Sequence, residues 1–211
     1  MQVDFIFQIA ILVMSVVIHE VSHGYAASYL GDQTARYEGR LTLNPIKHLD
    51  FVGSFLVPSL SYFLGGFIFG WAKPVPYNPY NLRPGRWSEA IVAIAGPASN
   101  IVLAILFGTL LRVGIAGGES WASPAFIQIT SLIVFINILL AIFNLMPIPP
   151  LDGSKLLFAA FPSKLFQLRG FFERYGLMLV LFFIFFLWQF IFPVIVVLFR
   201  LITGVAIWAS V

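Results

Sequence analysis

His19, Glu20 and His23 form an H-E-x-x-H pattern within Ile18-His19-Glu20-Val21-Ser22-His23-Gly24. On an α-helix, residues four apart differ by about 40° in direction and about 6 Å in height, so the two imidazoles lie on one face and can grip one metal ion. Zinc suits imidazole nitrogen and carboxylate oxygen, and a catalytic zinc takes three protein ligands and leaves a fourth position for water. Glu20, adjacent to His19 but turned about 100° from it, is placed to take the proton of that water. The competing reading is a helix with two core histidines and a stray acid.

The setting weighs against idle side chains. The motif sits inside an apolar stretch from about Phe5 to Leu30, long enough to cross a bilayer. An ionisable group near the bilayer centre costs about 2.5–3.5 kcal/mol even on the mildest scale. Three such groups within five residues imply a use for them.

Two histidines need a third protein ligand, for which the candidates are His48 and the acids other than Glu20. Asp4, Asp32, Glu38, Asp50, Glu119 and Glu173 lie in or near polar segments. Asp152 follows the proline break Met146-Pro147-Ile148-Pro149-Pro150-Leu151 in a strongly apolar run. Irregular backbone there can reach membrane depth if protein or a water-filled cavity covers it, so Asp152 ranks first and His48 second. The rival role for Asp152 is capping of a helix over residues 154–161. The longer H-E-x-x-H-x-x-G-x-x-H pattern fails, because Ala26 and Tyr29 occupy the required glycine and histidine positions.

The elements that must hold these groups are apolar. The 211 residues are 60% hydrophobic and 10% charged, with a mean hydropathy of +0.94. A typical soluble domain has about 25% charged residues. The expectation is therefore an all-α polytopic membrane protein of about five to six transmembrane helices, forming one domain over residues 1–211 with membrane lipid around it. Its core runs from about 4 to 160, and an apolar helical tail from about 176 to 209. The net charge of +3, dispersed among loops, does not suggest nucleic acid. With no cysteine, disulfides and thiolate zinc sites are excluded. Met1-Gln2-Val3-Asp4 lacks the basic n-region of a signal peptide, so the first apolar segment is expected to remain in place.

Spans are expected at about 4–30, 88–113 and 124–145. Partial alternation over residues 34–45 suggests a short β-hairpin near the active site, or else an amphipathic surface loop. Residues 51–71 are apolar but broken by Gly53, Pro58 and Gly65-Gly66. Basic residues flank them on both sides, and the positive-inside tendency makes them a re-entrant segment with both ends on the cytoplasmic side. Gly96-Pro97-Ala98-Ser99-Asn100 interrupts the next span; Asn100 either bonds to a neighbouring helix or points at the metal or substrate. Lys155, Lys164, Arg169 and Arg174 mark a further cytoplasmic loop.

Taken together, His19-Glu20-Val21-Ser22-His23 and the later stretch Asn144 through Pro147, Pro150 and Leu151-Asp152-Gly153 resemble the site-2 protease family of intramembrane zinc metalloproteases. Gly39 through Pro45 and Gly96 through Asn100 are similar to further signatures of that family. The resemblance implies one Zn2+ per chain held by His19, His23 and Asp152. It implies Glu20 as the base that activates water, and Asn144 as a residue that holds substrate or stabilises the oxyanion. It further implies a multi-pass protein of the cell membrane that cuts transmembrane protein substrates, with an active site inside the bilayer opening toward the cytoplasm. The alternative function is a cation or proton transporter that uses the same His, Glu and Asp cluster as a relay.

Overall fold

The computed structural model describes residues 5–57, 60, 63, 72–118 and 122–206. Among them all regular structure is helical: α1 (Phe5–Tyr29), α2 (Thr34–Tyr37), α3 (Ser88–Ala116), α4 (Pro124–Asn144), α5 (Gly153–Ala160) and α6 (Pro162–Thr203). Three helices are long and apolar enough to cross a membrane, at Phe7–Tyr29, Ser88–Ala116 and Pro124–Asn144. These agree with the expected spans to within a few residues. Local signals set several ends. Ser123 accepts a hydrogen bond from the Phe126 amide, with Pro124 following in the first turn of α4. Gly204, at φ 78°, closes α6 in the left-handed conformation that glycine tolerates best.

The bundle is built on α3, which packs most extensively against α4 and α1. One core cluster, Ala104, Val134, Ile138, Ile195 and Phe199, joins α3, α4 and α6. A second, Ala27, Leu30, Leu82 and Val92, ties the end of α1 and the connector to the start of α3. The 42 residues of α6 form one helix that runs through Pro193. At 1.5 Å per residue it is about 63 Å long, roughly twice the thickness of the bilayer hydrocarbon. Residues 164–174, expected as a loop, are part of this helix, which starts at Pro162 immediately after α5.

No strand forms over residues 34–45. Thr34–Tyr37 is a single helical turn, Gly39 reverses the chain at φ 65°, and Pro45–His48 is a 3₁₀ turn. Side chains satisfy the backbone here in place of a strand ladder: Asp32 accepts from the Thr34 amide, Asn44 from Ile46, and the His48 ring nitrogen Nε2 lies 2.8 Å from the Thr42 carbonyl. Of the expected re-entrant segment, Val52–Leu56 forms a π-helical turn. The rest of that expectation falls largely on 58–59, 61–62 and 64–71, which lie outside the described residues.

Asp32 anchors the cluster beneath α1. Its carboxylate accepts from Thr34 N and Oγ1, from Asn78 N at 2.8 Å and from Asn81 Nδ2 at 3.0 Å. Burial by itself raises the Asp32 pKa, but these four donors outweigh it and hold the carboxyl below its ordinary value of 3.8. The stabilisation is therefore full above that value and lost as the pH falls through the lower value of the folded state. Asp32→Asn, which turns an NH2 toward these donors, is expected to cost roughly 2 kcal/mol at pH 7. Thermal unfolding in detergent at pH 7 and pH 3 should show its deficit against wild type narrowing at the acidic pH.

Candidate metal centre

Near the middle of α1, His19 and His23 meet Asp152 from the loop between α4 and α5. His19 Nε2 and His23 Nε2 are 3.1 Å apart, and Asp152 Oδ2 is 3.2 Å from each. The other ring nitrogens set the tautomer of each neutral ring. His19 Nδ1 lies 2.6 Å from Asn100 Oδ1, and His23 Nδ1 lies 2.8 Å from the Val92 carbonyl; both partners can only accept, so both Nδ1 atoms carry the hydrogen. In the neutral imidazoles, Nε2 then has only its lone pair. Two such lone pairs and a carboxylate oxygen converge with no hydrogen between them, on side chains 6%, 11% and 13% exposed.

Such a set is repulsive unless a cation sits in it. Ligands placed tetrahedrally at about 2.0 Å from a central ion are about 3.3 Å from one another, close to the edges of this triangle. The neighbouring helix leaves room. A Cβ on Gly96 of α3 would lie 2.5 Å from His23 Nε2 and 2.6 Å from His19 Nε2. His19, His23 and Asp152 thus fit a divalent metal, with imidazole and carboxylate donors of the kind zinc takes.

Asp152 occupies the N-cap position of α5, yet its side chain makes no capping bond and turns to the histidines. The geometry thus separates its two expected roles. The proline run coils in tight turns, with Ile148 N bonded to Met146 O and Leu151 N to Ile148 O. Gly153 makes the close approach possible, because a Cβ there would overlap the Leu145 and Met146 carbonyls at the end of α4.

His48, ranked second as a ligand, is buried away from the cluster, with Nε2 on the Thr42 carbonyl. Glu20 accepts a hydrogen bond from Val75 N at 2.8 Å, which ties its carboxylate to the connector Lys73-Pro74-Val75-Pro76. That connector is pinned in turn by Arg40, which donates to the Lys73 and Pro74 carbonyls. Asn144 donates Nδ2 to Leu140 O on its own helix and makes no hydrogen bond to His19, His23 or Asp152. Asn100 takes the first of its two expected roles, bonding to neighbouring helices, and one of the groups it holds is a histidine of the cluster. Ser15 and Asn137, behind Asn100, escaped the sequence reading. An amide in the middle of a span was the available signal.

The model of peptidase family M50 matches residues 112–187, a region that holds Asp152. YwhC of Bacillus subtilis is 42% identical over 149 residues, covering 69% of this chain and 65% of that protein. Rip2 of Mycolicibacterium smegmatis is 36% identical over 151 residues, covering 71% and 55%, and MJ0611 of Methanocaldococcus jannaschii is 32% identical over 144 residues, covering 67% and 63%. All three are named as candidate zinc metalloproteases. The chain spans less than two thirds of the length of each of these relatives. No solved structure matches it. With long apolar helices and an H-E-x-x-H pair beside a buried aspartate, the chain is similar to peptidase family M50 and to relatives named as zinc metalloproteases, in keeping with the site-2 protease family that its motifs resemble.

Proposed function

We propose that this protein is an intramembrane zinc metalloprotease that hydrolyses peptide bonds in or near the transmembrane segments of membrane-protein substrates. One observation carries the proposal: His19 Nε2, His23 Nε2 and Asp152 Oδ2 converge as three acceptors inside an apolar bundle, one residue away from a carboxylate. The three hold one zinc per chain. Bound there, zinc supplies a Lewis acid that polarises a carbonyl and acidifies water. Val75 N–H holds Glu20 Oε2, and Oε1 takes the proton of the attacking water and returns it to the leaving amine. Asn144 steadies the substrate backbone or the developing oxyanion once substrate draws its amide from the Leu140 carbonyl.

The protein sits in the cell membrane as a multi-pass helical bundle of about five to six spans in one domain, with residues 51–71 re-entrant and the site opening toward the cytoplasm. Arg36, Arg40 and Lys47 precede that re-entrant segment and Lys73, Arg83 and Arg86 follow it, in keeping with the positive-inside tendency. A substrate helix must unwind locally to be cut, because its carbonyls are taken up by helical hydrogen bonds. Helix-breaking residues near the cut site favour cleavage.

Mass-spectrometric metal analysis of the detergent-purified chain tests the ligand set. Wild type is expected to carry about one zinc, Asp152→Ala to be depleted, and Gly96→Val to be depleted because its side chain fills the space before both Nε2 atoms. Equal zinc in wild type and Asp152→Ala would remove Asp152 from the site. Glu20→Gln is expected to retain its zinc while cleavage of a transmembrane peptide in proteoliposomes falls at least about 100-fold. Wild-type cleavage by that variant would remove Glu20 from the mechanism.

A further inference from the structure

Metal binding at His19 requires that its Nε2 be bare, and so that its Nδ1 carry the hydrogen. Asn100 enforces this only while its oxygen faces the ring. An amide is nearly symmetric in shape, and rotated by half a turn it would present Nδ2 to His19 Nδ1. The hydrogen would then move to Nε2 and the ligand would be lost.

Two backbone carbonyls prevent that rotation. Asn100 Nδ2 donates to Ser15 O at 3.3 Å and to Asn137 Oδ1 at 2.8 Å. Asn137 is oriented in turn, because its own Nδ2 donates to Ile133 O at 2.8 Å and to Ser15 Oγ at 3.0 Å. Ser15 O and Ile133 O can only accept, so each amide has a single satisfactory orientation. Ser15 is 4% exposed, and Asn100 and Asn137 are fully buried, so no solvent competes for these bonds. A reversed amide would leave a donor facing a donor in an apolar interior, where neither group has water to turn to.

Building on the metal-binding reading above, we propose that Asn137 and Ser15 are positioning residues that hold Asn100 in one orientation, lock the tautomer of His19 and thereby set metal affinity. The chain of compulsion runs from the Ile133 carbonyl through Asn137 and Asn100 to His19, and it links α4, α3 and α1. His23 needs no such relay, since the Val92 carbonyl orients it directly.

Two measurements on the full 211-residue chain in detergent test the proposal. The first is zinc affinity by chelator competition, with cobalt substitution as a spectroscopic report on ligand geometry. Asn137→Leu is expected to weaken zinc binding about 10- to 100-fold and to change the cobalt absorption bands. Adding Asn100→Asp to that variant should restore both, because a carboxylate has no donor end to present to His19. A merely structural role for Asn137 predicts that the second substitution makes matters worse. Unchanged zinc affinity in Asn137→Leu, or no rescue by Asn100→Asp, would overturn the proposal.

The second measurement needs no variant. The chain has three histidines, and nitrogen NMR of the 15N-histidine-labelled, metal-free wild type, titrated to a pH at which the imidazoles are neutral, reports their tautomers. His19 and His23 should be Nδ1–H, whereas His48 should be Nε2–H because its Nε2 faces the Thr42 carbonyl. An Nε2–H tautomer at His19 would refute the relay whatever the protein cleaves. A wild type with the expected tautomers and no zinc affinity would instead refute the metalloprotease reading.

Discussion

Three lone pairs pointing at one another in an apolar interior are the constraint on which this structure depends. His19 Nε2, His23 Nε2 and Asp152 Oδ2 are acceptors about 3 Å apart, and each has given up solvent to be there. In a medium without water such an arrangement persists only if the opposite side of each group is satisfied and a cation balances the centre. The Val92 carbonyl and Asn100 take up the outer nitrogens of the histidines, and Gly96 withholds a side chain from the middle. The roles of these α3 residues follow from the need to keep that centre open and its ligands aimed.

The same logic accounts for the loops. Asp152 must reach the level of His19 and His23 on irregular backbone, and the chain allows this by coiling its proline run tightly against the end of α4, with Gly153 in contact with the Leu145 and Met146 carbonyls. The connector before α3 has prolines at 74 and 76, which have no N–H to satisfy, and the one amide between them goes to Glu20. Arg40 and Asp32 hold the two ends of that connector through its carbonyls and amides. The carboxylate assigned to proton transfer is thus positioned by a loop, whereas the three candidate metal ligands are positioned by helices and a turn locked onto one.

Family similarity and site geometry reinforce each other without being the same observation. The family match over residues 112–187 takes in Asp152 but none of α1, where the histidines lie. The relatives align over about 150 residues of this chain. The convergence of a helix near the start of the chain with a turn more than 120 residues later joins the two motifs into one site.

How much of this was legible in the sequence follows from the range of the interactions. The histidine pair, its glutamate and the apolar helices that became α1, α3 and α4 could be read directly, because helical spacing and hydropathy are local properties. Asp152 could be ranked by elimination, since an acid beyond a proline break in an apolar run has few other uses. The hairpin over residues 34–45 failed because alternation is also a local signal, and side-chain bonds from Asp32, Asn44 and His48 to nearby backbone outweighed the strand it suggested. Other features were decided only when α1, α3 and α4 packed together. These are the contact of Asn100 with His19, the amides of Asn137 and Ser15 behind it, the Val75 bond to Glu20, and the room left by Gly96. An amide side chain has a direction that its residue type does not specify. Here that direction is set by backbone carbonyls on two other helices, so it exists only in the tertiary structure.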